Sequence, residues 1–325
     1  MNIRTERVSC NQCGSQDADV VGKGADREYY SSSDIYEIVR CRHCGLVYLN
    51  PRPVSEELPR IYPPSYHSYI LDEVAGSKGS FVTRMRQKAG ARRFAPIMQH
   101  AKSFQKIDLL DVGCGNGWLL RVIKSLDPER IETFGVEISE PVCRAARELG
   151  HTVYCGRFED VNLDRPFDVI NLTHVIEHVS DPRLVVRKAY EALKPGGLLV
   201  LETPNVGSVE WPWFKDGNWG AYHIPRHWIL YDRDTIRNLG AAEGFTMIDW
   251  YCHPGPTHWV WTFHNICMAK TGGLAAWGRK LFDPVKIFRG GLGPTAILGA
   301  FWFLDMGFMA LRKQTSVMTG IFKKA

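Results

Sequence analysis

The residues of this chain that could do chemistry fall into four groups. Cys10-Asn-Gln-Cys13-Gly14 and Cys41-Arg-His-Cys44-Gly45 are two Cys-x-x-Cys units, each followed by glycine. Asp111-Val-Gly-Cys-Gly-Asn-Gly117 follows an apolar run, and Glu137 ends the next one. His174-Val-Ile-Glu-His178 combines two histidines with an acid. A fourth stretch, Trp211 to Trp228, is rich in aromatics and holds His223, Arg226 and His227.

The cysteine units have the spacing of metal ligands. Two cysteines three apart turn inward together only around a tight turn, which the glycine permits. Cys10, Cys13, Cys41 and Cys44 would supply the four soft ligands of a tetrahedral Zn²⁺. A set of four is closed, so the ion would be structural; a dithiol redox pair or free thiols are the alternatives. Roughly 50 residues bury little core, which makes a metal staple useful. Ile35–Arg40 reads as a strand of this ribbon, and His43 as a surface residue.

The glycine-rich turn narrows the ligand. A dinucleotide fingerprint is G-x-G-x-x-G, aimed at a pyrophosphate. Here the spacing is Gly113-x-Gly115-x-Gly117, with Asp111 in front. A carboxylate at that place repels a pyrophosphate and suits a cationic or zwitterionic ligand. Two oxygens of Glu137 can take both hydroxyls of a ribose. A ligand with a ribose, an amino-acid end and no phosphate fits, and S-adenosylmethionine has that composition. The competing reading is a Rossmann-like NAD(P) enzyme. His174-Val-Ile-Glu-His178 also matches the H-x-x-E-H pattern of zinc proteases, which needs both histidines on one helix face. Asp181-Pro182 follows within a turn or two, leaving little room for such a helix.

The elements that must position these residues alternate from about residue 107. Ile107–Val112, Thr133–Glu137, His151–Cys155, Phe167–Leu172 and Leu198–Leu201 read as strands. Trp118–Leu126, a helix opened by Ser139-Glu140-Pro141, Pro182–Leu193 and Asp232–Glu243 read as helices, with Phe245–Tyr251 a further strand. Such alternation implies a parallel sheet covered on both faces, with its ligand outside the strands' carboxyl ends.

In this order the motifs resemble those of class I S-adenosylmethionine-dependent methyltransferases, over roughly residues 105–250. The carriers are Asp111–Gly117, Glu137, Phe167–Leu172 leading into His174–Pro182, and Lys194-Pro-Gly-Gly197. The resemblance implies a doubly wound, Rossmann-like α/β fold with a seven-stranded sheet. Its last strand, antiparallel, would be Ser316–Phe322. It implies that Asp111, Gly113, Gly115 and Gly117 hold the methionine end with Thr173 nearby. Glu137, with Ile138 beside it, would bind the ribose, and Arg157, Phe158 and Glu159 would flank the adenine. His174 would end the fourth strand beside the transferred methyl, while His178 more often has a structural part there.

The aromatic stretch cannot be a core strand, given its prolines, glycines and charges, so it reads as a lid. His223 and His227 are favoured over His174 as the base that takes the acceptor's proton. Arg226 would clamp a phosphate or carboxylate, and Trp213 and Trp219 offer flat faces to a sugar. An aromatic lid with histidines that merely cap the next helix is the plainer alternative.

The chain would thus divide into a zinc ribbon (1–52), a proline-rich connector (53–80) and a methyltransferase domain (81–325). The last would contain the lid (206–230) and an apolar, basic insertion (253–314). In the connector, Tyr62, Tyr66, His67 and Tyr69 either line a substrate mouth or dock the ribbon, the second being preferred. The net charge of +5 is uneven. Val74–Ile107 holds eight basic residues and no acid, and Asn265–Ala325 nine against two. An anionic surface or substrate near these segments, or a solvated helix face, would account for that.

Thr295–Leu311 is apolar apart from Asp305, with Arg312-Lys313 behind it. It is short of the ~20 residues of a span. An interfacial helix over 295–313 or a helix packed on protein fits better. The opening residues lack a secretory apolar region, so a reducing cytoplasm or the inner face of its membrane is expected, and the nine cysteines point to metal or chemistry before disulfides. The expected function is O- or C-methylation of a sugar, nucleotide-sugar or lipid-linked glycan. The alternative is a quinone or phenol O-methyltransferase at the membrane surface. RNA methylation ranks lower, since no basic-aromatic stacking platform is present. The oligomeric state is not legible.

Overall fold

A computed structural model describes residues 3–63, 81–289 and 291–325. Tyr66, His67, Tyr69 and Lys78 lie outside the described residues.

Seven strands form the central sheet, in the spatial order Phe245–His253, Val317–Lys324, Leu193–Pro204, Phe167–Thr173, Ile107–Val112, Ile131–Glu137 and Thr152–Cys155. Val317–Lys324 runs antiparallel to both its neighbours, and the pairings from Leu193–Pro204 to Thr152–Cys155 are parallel. Leu109, Leu110, Val169, Ile170, Leu172, Leu199 and Leu201 are wholly buried, as expected of strands covered on both faces. Chain order reverses between Ile107–Val112 and Phe167–Thr173, which opens a crevice at their carboxyl ends. The expected sheet, with an antiparallel strand near the chain's end, is therefore present.

Local signals were read well where a cap or turn residue marks the boundary. Asp232 caps the helix Arg233–Ala242 through the Thr235 N–H, and Thr235 returns the bond. Ser139 differs: its side chain caps nothing, and its N–H donates instead to Glu137 Oε1 at 2.9 Å. Cys143 and Cys155 are joined as a disulfide, against the expectation that the cysteines would serve metal or chemistry first. The helix Glu140–Glu148 lies beside the strand Thr152–Cys155 and brings their Cα atoms to 6.0 Å.

The front of the chain forms a second sheet of Ala18–Ala25, Ile35–Cys41 and Val47–Leu49, all antiparallel. Its fourth strand is Ile229–Leu230, contributed from the end of the aromatic stretch and paired with Tyr48 and Val47. Contact between the two segments is at backbone level: a Cβ on Gly217 would fall 1.8 Å from the Lys23 carbonyl oxygen. Within the described part of the connector, Ser55–Ile61 makes a 3₁₀ turn and one turn of α-helix.

Beyond His253 come the helices Pro256–Met268, Gly273–Leu281, Pro284–Arg289 and Leu292–Ala310. Asp305, the single acid of the last, is fully buried; it accepts bonds from the Gly255 N–H and Trp259 Nε1, both at 2.8 Å. On the same inner side Phe301 and Phe308 stack on Trp259. Trp302, Phe303, Leu304 and Met306 are exposed, Phe303 to 71%.

Candidate active site

The glycines of the turn are needed for conformation. Gly113, Gly115 and Gly117 have φ of +74°, +54° and +81°, where a side chain is strained. The turn carries the chain from Val112 to the helix Trp118–Lys124 and presents the Gly115 N–H to Glu137 Oε2 at 3.2 Å. Each Glu137 oxygen thus accepts one backbone N–H, from Gly115 and Ser139. A carboxylate has about four lone-pair sites, which leaves two for a ligand.

Glu137 opens onto a cavity of about 450 Å³ at the carboxyl ends of the strands. Gly113, Glu137, Ile138, Arg157, Phe158 and Glu159 line it on one side. Arg157 Nη2 donates to Glu159 Oε1 at 3.0 Å. Asp111, Gly115, Gly117 and Thr173 are not among the cavity's lining residues. Asp111 is buried and accepts from Asn171 Nδ2 at 2.7 Å, and Asn171 also reaches Thr173 Oγ1 at 3.1 Å. Burial raises the Asp111 carboxyl to about 7 despite the Asn171 bond and the charge of Arg93.

The other side of the cavity is formed by His174, Val175, His178, Trp228 and Tyr62. His174 follows the fourth strand in a left-handed conformation (φ +53°). Its Nδ1 is 3.0 Å from Glu177 Oε1 and its Nε2 3.4 Å from Glu202 Oε1. Glu202 is in turn paired with Arg93 and lies 2.9 Å from His253 Nε2. Burial first, then the nearby Arg93 and His253, depress His174 to about 3, so the ring is neutral at pH 7. Burial raises Glu177 to about 7.

The lid histidines are not among the lining residues but sit behind them, the His227 ring packing on His178 with centroids 4.6 Å apart. His223 is buried against Glu28, and His227 points Nδ1 at the Ala221 carbonyl, 2.8 Å away. Arg226 is not a clamp for a ligand: it is wholly buried in an ion pair with Asp26 at 2.9 Å. Trp219 is fully buried and packs on Tyr222, so it offers no face to a sugar. Trp213 is 58% exposed and touches Phe308 of the helix Leu292–Ala310.

Tyr62, one of the connector tyrosines, lines the cavity with its hydroxyl 2.8 Å from His178 Nδ1. Three further residues of this site carried no usable sequence signal. Trp228 sits in a row of tryptophans, and Glu202 at the end of an apolar strand. Arg93 is one of eight cations in its stretch; Lys88 and Arg92 are exposed, while Arg93 turns inward.

A sheet of this topology, with an acidic strand end and a glycine turn at its switch point, defines a class I S-adenosylmethionine-dependent methyltransferase. The match to the family described as "Methyltransferase domain" spans residues 82–249, and the chain belongs to that family. A ubiquinone biosynthesis O-methyltransferase of Cereibacter sphaeroides is 29% identical over 179 residues, covering 50% of this chain and 70% of that protein. One from Idiomarina loihiensis is 31% identical over 127 residues, covering 37% of this chain and 51% of that protein. The chain therefore spans between half and seven-tenths of these relatives. Among solved structures, phosphoethanolamine N-methyltransferase 2 of Haemonchus contortus, in complex with S-adenosyl-L-methionine, is similar at 16% identity. It aligns over 94% of this chain and 68% of that one, with a TM-score of 0.48.

Proposed function

We propose that this methyltransferase transfers a methyl group to a hydroxyl of a lipophilic acceptor, a phenol or hydroquinone held at a membrane surface. The observation that carries this is the helix Leu292–Ala310, which packs on the protein through Asp305, Phe301 and Phe308 and leaves a further set of large apolar side chains exposed. Trp302, Phe303, Leu304 and Met306 are all exposed on it, Arg312 and Lys313 follow, and Trp213 of the lid extends the same face. Basic flanks beside an apolar face suit an anionic interface. The names of the curated relatives support an O-methyl acceptor of this kind over a glycan. With Trp219 buried, the glycan reading loses much of its footing.

In this reading Glu137 takes the ribose hydroxyls of S-adenosylmethionine. Ile138, Arg157, Phe158 and Glu159 flank the adenine, and Gly113, Gly115 and Gly117 with Asp111 and Thr173 shape the methionine end. Bound there, the sulfonium supplies an electrophilic methyl: the acceptor oxygen attacks it, the C–S bond breaks and its electron pair stays on sulfur. The chain's part is to align that oxygen and remove its proton. His174 and His178 stand nearest the acceptor; His223 and His227 act through the lid's position. Cys10, Cys13, Cys41 and Cys44 hold a structural Zn²⁺. Their four sulfurs lie within 4.8 Å of one another, and Gly14 and Gly45 have the left-handed φ that such turns require.

The deciding experiment compares organic and aqueous extracts of wild-type and deletion cells by mass spectrometry. A lipid-phase phenol one CH₂ lighter in the deletion strain is the expected result. A missing methyl confined to a water-soluble sugar would overturn the reading.

A further inference from the structure

We propose that Glu177, His178 and His227 form a second metal site, for a divalent first-row transition ion, in the acceptor wall of the cavity. One potential ligand atom from each of the three lies within 4.8 Å of the others. Two imidazoles and a carboxylate suit Zn²⁺, Fe²⁺, Mn²⁺ or Co²⁺, and they leave coordination positions open.

The surroundings of the two rings favour ligation. His227 directs Nδ1 to the Ala221 carbonyl at 2.8 Å, and His178 directs Nδ1 to the Arg226 carbonyl at 3.1 Å. A carbonyl only accepts, so His227 carries its proton on Nδ1 and the lone pair on Nε2; the same tautomer of His178 serves both the Arg226 carbonyl and the Tyr62 oxygen, which lies 2.8 Å from its Nδ1. This is the arrangement in which metal-binding histidines are held: one nitrogen fixed by a backbone oxygen, the other presented to the ion. His227 Nε2 lies 3.9 Å from Glu177 Oε1, a separation that an ion with bonds of about 2.1 Å to each would bridge.

Glu177 supplies the independent observation. Its side chain is fully buried, and Oε2 has no hydrogen-bond partner among the described residues. Oε1 meets His174 Nδ1 at 3.0 Å. An unsatisfied buried carboxylate oxygen costs about 1–3 kcal/mol or more. A cation between Glu177 and the two rings removes that cost.

His178 lines the cavity, so an ion held by its Nε2 would stand at that wall. A hydroxyl bound to it would lose its proton to water at a pH far below its own pKa, and so reach the oxyanion without a protein base. This use of the ion rests on the O-methyl transfer proposed above, whereas the binding of metal does not.

The test is metal counting and Co²⁺ titration of the full chain after chelation. Expected is a second equivalent beyond the cysteine site. Its Co²⁺ spectrum should show the weak d–d bands of nitrogen and oxygen ligands, without thiolate charge transfer. H178A, H227A and E177Q should each lose that equivalent and keep the thiolate-bound one, whose charge-transfer band also reports that the chain is folded. A wild-type chain that takes up only the thiolate-bound equivalent would overturn the proposal. So would a second equivalent retained in both histidine variants. Either result would leave acceptor O-methylation untouched, because the extract comparison tests that separately.

Discussion

Replacing Glu137 tests the cofactor side of the site most directly. Its two carboxylate oxygens already accept one backbone N–H each, from Gly115 at 3.2 Å and Ser139 at 2.9 Å. The remaining lone pairs face the cavity. Glu137→Ala would remove two ribose hydrogen bonds to a charged acceptor, worth about 1.5–3 kcal/mol each. The loss is therefore at least about 3 kcal/mol, or on the order of 10²-fold in Kd. Glu137→Gln is not a mild change here, because its NH₂ would face one of the two backbone N–H groups. It should fall between wild type and alanine. Calorimetric titration with S-adenosylmethionine or S-adenosylhomocysteine measures this. A Kd within about threefold of wild type, for a folded Glu137→Ala protein, would refute the ribose assignment.

Four further outcomes are expected. Gly117→Ala forces a side chain into φ +81° with His151 only 2.5 Å from the new Cβ; thermal unfolding should show a loss of about 1–3 kcal/mol. Cys10→Ser or Cys41→Ser should lose the thiolate-bound zinc by elemental analysis and lower the yield of folded protein. Trp302→Ser with Phe303→Ser, both at exposed positions, should abolish flotation with anionic vesicles and leave Tm unchanged. Asp111 has a folded carboxyl raised to about 7 against an unfolded value of about 3.9, so the folded state binds the extra proton between them. Stability of the ligand-free protein should accordingly fall as pH rises through that window, and Asp111→Asn should flatten the slope measured by denaturant titration.

The sheet was legible because its signals are local. Apolar runs, proline at helix starts and glycine at positive φ each mark one element, and parallel alternation then leaves few topologies. Glu137 was legible for the same reason, as the acid ending a strand. The acceptor wall was not. Tyr62, His178 and Trp228 come together at the cavity from separate parts of the chain, and no periodicity announces such a meeting. His223 and His227 looked exposed because their stretch is rich in glycine, proline and charge. His223 is buried because Glu28 approaches from the other end of the chain, and His227 because it packs on His178 and Glu177. The outward face of Leu292–Ala310 was half legible: composition showed an apolar helix, but only the position of Asp305 shows which side turns inward.

The connection between ribbon and lid gives the N-terminal segment a place in the reaction site. Arg226 has no exposure, and an unpaired guanidinium at such depth would cost several kcal/mol. Asp26 compensates it, and accepts in addition from the Tyr29 and Ser31 N–H groups at 3.0 and 2.9 Å. The carbonyl of Arg226 in turn holds His178 in the cavity wall. A path of contacts thus runs from a ribbon loop, through a buried ion pair and one backbone oxygen, to a side chain that faces the acceptor. Ile229–Leu230 fixes the same segment from the other direction by completing the ribbon's sheet. The strand Ile35–Cys41 of that sheet ends in a cysteine of the cluster, so cluster and lid are tied to one sheet. That N-terminal sheet is therefore part of the scaffold that holds His178 in the cavity wall.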